Sequence, residues 1–376
     1  MPFADICGHQ GPISVLKSAI ENGRVSHAYL FEGPANIGKT LTALVFAKAL
    51  MCGSPLESGE PCDACAICNA VDRENHPDFL IVRPTSRLEI EDEEGQKAVA
   101  DIEGSMITKD AIAHLISEAN LRVSSARRKV FIVSSAEAMN PASANRLLKT
   151  LEEPPGLTTI ILTAPSTSAL LPTIVSRCQL LRFGPVPTDD VQVALEREAP
   201  LGDPALMRSI AALSGGRPGW AIRLMEHPDT LKIRKDILDI AVGLKQRPMV
   251  ACMKAAETLV GSAEDWWRAT ATGDFAEKVL KANRDRVLRT QMGQLLDVLL
   301  TWFRDLSIAG QDDTDSLLIN ADRSDQLKQI AASLDRNAPA RAAKAIRVAK
   351  EALGGNANLR MTVEVMLTDI WQALAA

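Results

Sequence analysis

The sequence predicts an α/β domain built on a parallel sheet, followed by a helical remainder, and three observations predict it. The stretch GPANIGKT, Gly33 to Thr40, fits the phosphate-loop pattern G-x-x-x-x-G-K-[ST] and lies between an apolar run, His27 to Phe31, and a helical run, Leu41 to Leu50. Short apolar runs then alternate with helical periods as far as Phe183, an order that gives a parallel sheet with its ligand edge at the strand C-termini. Beyond residue 229 the apolar spacing is helical throughout.

Length and composition set the bounds. The 376 residues suffice for two or three domains, and 46% hydrophobic residues can fill a sizeable core. A net charge of −5 and a pI near 5.7 argue against a freely acting DNA-binding module, so nucleic-acid contact is expected to be local or shared with partners. A single Tyr leaves few stacking platforms for bases. No apolar run reaches the roughly 18 residues of a membrane span, and no signal peptide is apparent, so a cytoplasmic location is expected. Seven cysteines, four of them clustered, suggest metal rather than disulfides in that compartment.

Taken in order, residues 1–26 carry Gly8-His9-Gln10 and an amphipathic run from Ile13 to Ile20. His9 and His27 each read either as ligand contacts or as structural side chains. A strand at 27–31 leads into the phosphate loop, where Gly33 and Gly38 allow unusual dihedrals and successive N–H groups form an anion nest with Pro34, Ala35, Asn36 and Ile37. Lys39 would reach the outer phosphates, Thr40 would hold Mg2+, and the following helix adds its partial positive charge. Then come Cys52, Cys62, Cys65 and Cys68, spaced x9, x2 and x2. Four thiolates suit a closed, tetrahedral, structural Zn2+ site rather than a catalytic one, and Gly59 and Pro61 supply the turn. Cys7, Cys178 and Cys252 stand apart and read as packing residues.

Phe79 to Val82 is the second strand. Residues 85–106 read as an acidic insertion, with Glu89, Glu91, Asp92, Glu93 and Glu94 in a mobile solvated loop or a docking segment. Ile107 to Leu121 is helical by period. Arg122, Arg127, Arg128 and Lys129 follow, read equally as DNA-phosphate contacts or as a solvated face. The third strand, Val130 to Val133, should end in acids if the chain hydrolyses nucleotide, because one carboxylate orients Mg2+ and another polarises water. Here it runs into Ser134-Ser135, with Glu137 off position, so the hydrolytic half is missing. Asn140 caps and Pro141 opens the next helix, whose Leu147, Leu148 and Leu151 share a face and which ends in Glu152-Glu153-Pro154-Pro155. Thr159 to Thr163 is the fourth strand, and Ser166 or Ser168 reads as a phosphate sensor or a cap. Ser176-Arg177-Cys178 precedes the fifth strand, Gln179 to Phe183. Pro185 and Pro187 mark a linker; Asp203-Pro204 starts a helix and Gly215-Gly216 stops one. Two stripes, Met292, Leu295, Leu296, Leu299, Phe303 and Val363, Met366, Leu367, Ile370, Trp371, Leu374, are expected to be core and subunit interface.

The order GPANIGKT, four-cysteine module, ANRLLKTLEEPP (Ala144 to Pro155) and LPTIVSRC (Leu171 to Cys178) resembles the clamp-loader family of bacterial DNA polymerase III, strongly over about residues 5–230 and only by class beyond. The resemblance implies an AAA+ type P-loop domain with a five-stranded parallel sheet and a zinc module (1–185, cysteines within 52–68), a small helical lid (186–228) and a helical collar that oligomerises (229–376). Within the family, Ser134-Ser135 replaces the acids that the gamma/tau motor keeps. Aligned on GRPGWA, Gly216 to Ala221, the motor's nucleotide-sensing Arg falls on Gly219. Both losses are similar to the delta prime branch, whereas the phosphate loop is complete.

The resemblance further implies that Arg177 points into a neighbouring subunit's nucleotide site as a trans arginine finger, or else pairs with an acid at an interface. It implies Zn2+ as structural metal, and ATP or ADP with Mg2+ bound without hydrolysis. The expected partners are gamma/tau motor subunits, a delta subunit, the sliding clamp and, through the assembled complex, primer–template DNA, in a hetero-oligomer with no membrane contact. No intrinsic ATPase is expected, only membership of a polymerase holoenzyme. Two other classes stay open. An active motor would reveal itself by turnover in isolation. A stand-alone zinc-bearing DNA-binding protein would show tight, salt-dependent DNA binding.

Overall fold

Seven strands form in chain order: β1 (Ala28–Glu32), β2 (Phe79–Val82), β3 (Thr85–Glu91), β4 (Lys97–Glu103), β5 (Lys129–Val133), β6 (Thr158–Ala164) and β7 (Gln179–Arg182). Five of them make one sheet in the order β2-β5-β6-β1-β7, with every neighbouring pair parallel. The structure, a computed structural model, describes all residues except 57–58, 92–96, 104–105, 201–202, 247, 272–275, 310–316, 356 and 376. β1, β5 and β6 are buried on both faces, which is why they read as continuous apolar runs rather than as alternation.

Helices cover the two faces of this sheet. On one side lie α1 (Gln10–Glu21) and α2 (Lys39–Met51), packed against Tyr29, Phe31, Ile132 and Ile161. α2 is apolar nearly all round because its other side is covered by α1 and by the short α3 (Ala66–Asp72). On the other side, α4 (Lys109–Asn120), α5 (Pro141–Glu152) and α6 (Pro172–Val175) pack against Leu30, Phe131, Val133, Ile160 and Leu162. The predicted α/β architecture with a five-stranded parallel sheet is therefore present, with β1 inside the sheet and its C-terminal end feeding the phosphate loop.

A buried acid fixes the bottom of the sheet. Asp78, fully buried, accepts the backbone N–H groups of Ser124 (2.8 Å), Ser125 (2.9 Å) and Ala126 (3.0 Å) and lies 3.7 Å from Lys129 Nζ. Its own amide donates to His76 Nδ1, so the imidazole proton sits on Nε2, 3.3 Å from Ser125 Oγ. Burial acts to raise the Asp78 pKa, but the three N–H groups and Lys129 outweigh it and hold the carboxyl below its usual range. Lys129 Nζ also donates to Glu118 O at 2.9 Å, and Arg128 donates to Thr159 Oγ1 at 2.7 Å. Both cations make contacts within the fold, Lys129 buried and Arg128 half-buried; Arg122 and Arg127 are exposed. Asp78→Ala should cost about 3 kcal/mol, since it orphans buried donors and a cation. The depressed pKa means the stabilisation is present above the ordinary carboxylate range and lost as pH falls through the folded-state value. Urea unfolding followed near neutrality and in acid should show the difference between wild type and variant shrinking at low pH; a loss below about 1 kcal/mol at pH 7 contradicts the clamp role.

The acidic insertion differs from expectation. Its backbone forms a two-stranded sheet of β3 and β4 rather than a mobile loop, while Asp92, Glu93 and Glu94 lie outside the described residues. The signal was a period of two: Leu88 and Ile90 on one strand, Ala98, Ala100 and Ile102 on the other.

The chain divides into two compact units, Met1–Arg87 with Asp101–Leu201 and Gly215–Trp220, and Leu88–Ala100 with Gly202–Ser214 and Ala221–Ala376. The first holds the sheet and α7 (Thr188–Glu198). α8 (Pro204–Leu213) belongs to the second, and α9 (Pro218–Glu226) spans the division. The second continues with α10 (Asp229–Gly243), α11 (Ala251–Thr270), α12 (Ala276–Ile308), α13 (Ser324–Ala331), α14 (Ala338–Gly354) and α15 (Leu359–Ala375). Met292, Leu295, Leu296, Leu299 and Phe303 are buried along α12, and Val363, Met366, Leu367, Ile370 and Leu374 along α15, with Trp371 half-buried. A polar network ties 318–323 to this bundle: buried Arg234 donates to Asn320 Oδ1 (2.6 Å) and Asp322 (3.0 Å), and buried Asp305 accepts the Asn320 amide (2.6 Å).

Candidate functional site

The loop after β1 starts at Gly33, whose N–H continues the ladder to Ala164 O at 3.1 Å. Gly33 has φ +155°, and a Cβ there would sit 2.2 Å from Phe183 O, so the end of β7 leaves room for glycine alone. Asn36 at φ +63° and Gly38 at φ +107° complete the turn into α2. Lys39, nearly buried, folds back onto the loop, donating to Gly33 O (2.6 Å) and Pro34 O (2.7 Å). Burial lowers its pKa to about 8, against the opposing pull of the Glu137 carboxylate. The first turn of α2 presents Thr40 Oγ1, which lies 3.3 Å from Ser134 Oγ at the end of β5. The expected metal-binding hydroxyl and the residue after β5 thus meet hydroxyl to hydroxyl.

Two features outside the motif brace the loop. His9 Nε2 is 2.7 Å from Ile37 O, and its ring packs on Phe183 with centroids 4.9 Å apart. Burial lowers the His9 pKa, which suits a neutral ring donating its Nε2 proton to that carbonyl. Of the two histidines singled out in the sequence, only this one reaches the loop. His27 precedes β1 at the opposite end of that strand, where its carbonyl accepts the Ile160 N–H at 2.8 Å. The second brace is Gly219, whose N–H donates to Asn36 O at 3.0 Å. A Cβ at 219 would come within 3.1 Å of that same oxygen, so any side chain here would press on the loop. Nothing in the GRPGWA pattern foretold this contact, because it joins residues 183 positions apart.

On the same strand-end edge, Glu32 accepts the Thr167 N–H at 2.8 Å and Arg182 Nε at 3.1 Å, and the Thr167 amide above all holds its pKa below the ordinary value. Ser166 and Ser168 bond to each other at 2.7 Å. Ser135, in left-handed conformation at φ +56°, donates its N–H to Thr163 Oγ1 at 3.0 Å, and Glu137 beyond it still lies close enough for its carboxylate to act on Lys39.

The four clustered cysteines come together. Cys52 ends α2, Cys65 caps α3, and the Sγ atoms of Cys52, Cys62, Cys65 and Cys68 all lie within 4.8 Å of one another. A tetrahedral ion with bonds of about 2.3 Å needs sulfur atoms just under 4 Å apart. Cys52 Sγ is 3.4 Å from Cys62 Sγ and 3.9 Å from Cys65 Sγ, so the set fits a metal ion such as zinc. Backbone N–H groups of Cys65 and Cys68 point at the sulfurs of Cys62 and Cys65, each at 3.4 Å. A buried cation anchors the module: Lys48 on α2 pairs with Asp63 and, at 3.0 Å, with Asp72. Sequence reasoning missed Lys48, though an acid inside the cysteine run, Asp63, and another just after it, Asp72, were the available sign. Cys252 is buried with Sγ 3.7 Å from Leu367 O, and Cys7 Sγ donates to Asp190 O at 3.0 Å, in keeping with packing roles.

Arg177 follows α6. Its Nη2 donates to Glu152 Oε1 at 2.5 Å and its Nη1 to Thr173 O at 2.8 Å. It therefore has an acid partner within its own chain. No helix among the described residues is long and apolar enough to cross a membrane.

With this geometry in hand, the relatives are informative. The family described as "DNA polymerase III, delta subunit" matches residues 8–187. The DNA polymerase III subunit delta prime of Bacillus subtilis is 30% identical over 354 residues, 94% of this chain and 93% of that protein. The delta prime subunit of Pseudomonas aeruginosa is 36% identical over 200 residues, 53% of this chain and 56% of that one. The tau/gamma subunit of Haemophilus influenzae is 28% identical over 299 residues, 74% of this chain but 40% of the relative. A crystal structure of a gamma subunit-related protein from Thermotoga maritima aligns with 91% of this chain and 99% of its own at 20% identity and a TM-score of 0.37. Near-complete coverage of a delta prime subunit at 30% identity decides the matter: this chain belongs to the delta prime family of bacterial DNA polymerase III clamp-loader subunits.

Proposed function

We propose that the chain acts in the clamp loader as a non-hydrolysing subunit, binding nucleotide at Gly33–Thr40 without turning it over and offering Arg177 to the nucleotide of a neighbouring motor subunit. The observation that carries the first half is the pairing of Thr40 with Ser134. A hydroxyl can neither balance a metal's charge nor take a proton from water near neutral pH, and Glu137, whose carboxylate acts on Lys39, comes three residues after Ser134 and not at the strand end. Gly219, bonded to Asn36, offers no guanidinium. Its task would be to help place the sliding clamp on primer–template DNA, beside gamma/tau and delta subunits, with residues 1–185 as AAA+ domain, 186–228 as lid and 229–376 as collar.

Zn2+ is the metal we assign to Cys52, Cys62, Cys65 and Cys68; when bound it supplies a cross-link between the end of α2 and the start of α3. Four sulfur ligands leave no open position, so its role is structural.

The purified chain tests the nucleotide reading. ATP or ADP should bind with no more turnover than the buffer blank, and Lys39→Ala should weaken binding by about 10-fold or more, the loss of a charged phosphate contact. Hydrolysis by the isolated chain at a motor subunit's rate would show that the site is an active one. Binding unaffected by Lys39→Ala would remove the loop as the nucleotide site.

A further inference from the structure

We infer that Glu152 is a positioning residue for Arg177, holding its guanidinium so that the remaining N–H groups are left for an anion of the neighbouring subunit. The inference rests on the reading of Arg177 as a finger offered in trans. A guanidinium carries five N–H donors in a planar fork. Nη1 spends its two on Thr173 O (2.8 Å) and Ser176 Oγ (3.4 Å), and Nη2 spends one on Glu152 Oε1 (2.5 Å). The Nε–H and the second Nη2–H have no partner among the described residues.

The three acceptors differ in what holds them. Thr173 and Ser176 belong to the same short turn as Arg177 and would move with it. Glu152 comes from a different element, α5, which has anchors of its own. At its start, Asn140 Oδ1 accepts the Ser143 N–H at 2.8 Å with Pro141 in the first turn. Along its length, Leu147 and Leu151 are buried in the cluster that also holds Ile174 of α6. At its end, Glu153 leaves helical geometry at φ −126°, ψ 75°, as a residue before Pro154 must. The backbone that carries Glu152 is thus placed by the sheet's own core, while its side chain is about half exposed and reaches Arg177 from there. Burial does not do this job, since the Arg177 side chain is one-third exposed.

A finger acts in the transition state, so loss of its placement should appear in kcat and leave the KM for ATP unchanged. The test uses the reconstituted clamp loader carrying wild type, Glu152→Ala, Glu152→Gln, Arg177→Ala or the double variant, at matched assembly. The finger-dependent turnover is the difference between wild type and Arg177→Ala. Glu152→Ala should reduce that difference about 10-fold at unchanged KM, within the range that misplacement of a reacting group by a fraction of an ångström produces. Glu152→Gln keeps a carbonyl acceptor and should restore at least half of it. Adding Glu152→Ala to Arg177→Ala should change nothing more, because the acid acts only through the guanidinium. A further fall in the double variant would make Glu152 a structural residue and overturn the inference. Unchanged or raised turnover in Glu152→Ala, with Arg177→Ala still impaired, would overturn it too while leaving the finger standing. Unchanged turnover in Arg177→Ala itself would remove the finger, and with it any role for Glu152.

Discussion

Replacing Arg177 by Ala should leave the subunit folded, metal-loaded and able to assemble, and should slow ATP turnover in the complex at the one site that this residue serves. The fold is safe because the ion pair with Glu152 is largely solvated, and such pairs contribute about 0–1 kcal/mol. The catalytic effect is far larger. Negative charge gathers on the transferring phosphoryl oxygens, and a fixed guanidinium stabilises that state more than the bound nucleotide. Loss of an arginine finger costs about 10^3- to 10^5-fold at the site concerned. Sites between two motor subunits keep their own fingers, so steady-state turnover should fall only by the share of the affected site, whereas clamp loading should fall further if the sites must fire together. Lys should substitute poorly, since it lacks the planar fork that the Thr173 and Glu152 contacts hold. Steady-state ATPase and clamp loading with wild-type and variant subunit decide it, and equal values in both assays would reduce Arg177 to an ordinary interface residue.

The second large effect is on the metal. The wild-type chain should carry about one zinc per molecule, and Cys65→Ser should carry almost none, because a structural site missing one thiolate loses a bond that folding free energy depends on. Cys65 is the ligand whose loss should matter most locally, since it also caps α3 and receives the Cys68 N–H. The damage should stop at the module. The sheet's core is built from β1, β5 and β6 with α2, α4 and α5, and the Lys48 pairs with Asp63 and Asp72 keep the segment near α2 even when slack. Proteolysis should therefore speed up between residues 52 and 72 while the far-ultraviolet circular dichroism of the sheet domain persists. Acid should release the ion. Burial acts to raise the Cys65 thiol, but N–H groups of Cys68 and Gly53 bring it down to about 6, whereas burial pushes Cys52 and Cys68 up. A metal ligand must be deprotonated, so protons compete with the ion for all four thiolates and chelator-driven loss should accelerate as pH falls. Metal analysis of protein purified under reducing conditions reads the result, and no metal in the wild type would refute the assignment.

How far these sites could be read in advance depended on the distance over which each is built. The phosphate loop and the cysteine cluster are made of residues within a few turns of one another, so spacing alone exposes them: eight consecutive residues for the loop and a run from Cys52 to Cys68 for the module. Ser134 was legible for the same reason, as the residue after a buried strand. The insertion misled because charge density was weighed above alternation, and a two-stranded ribbon can alternate while carrying many acids. The partners of Arg128 and Lys129 were not legible, since a basic cluster gives no sign of the buried Asp78 and the Thr159 hydroxyl placed beside it.

The sequence by itself determined the class of fold, the strands of the sheet, the phosphate loop, the thiolate set and the absence of acid after β5. Each follows from local spacing, apolar period or residue type, which chain order preserves. Only the tertiary structure decided that His9 and Gly219 clasp the loop, that Lys48 underlies the cysteines, that Asp78 pins 124–126, and that Arg177 rests on Glu152. These contacts join residues from 15 to 183 positions apart, brought together as the chain folds about a parallel sheet. Backbone carbonyls and buried charges carry no pattern in the sequence, so their partners become visible only once the chain is folded.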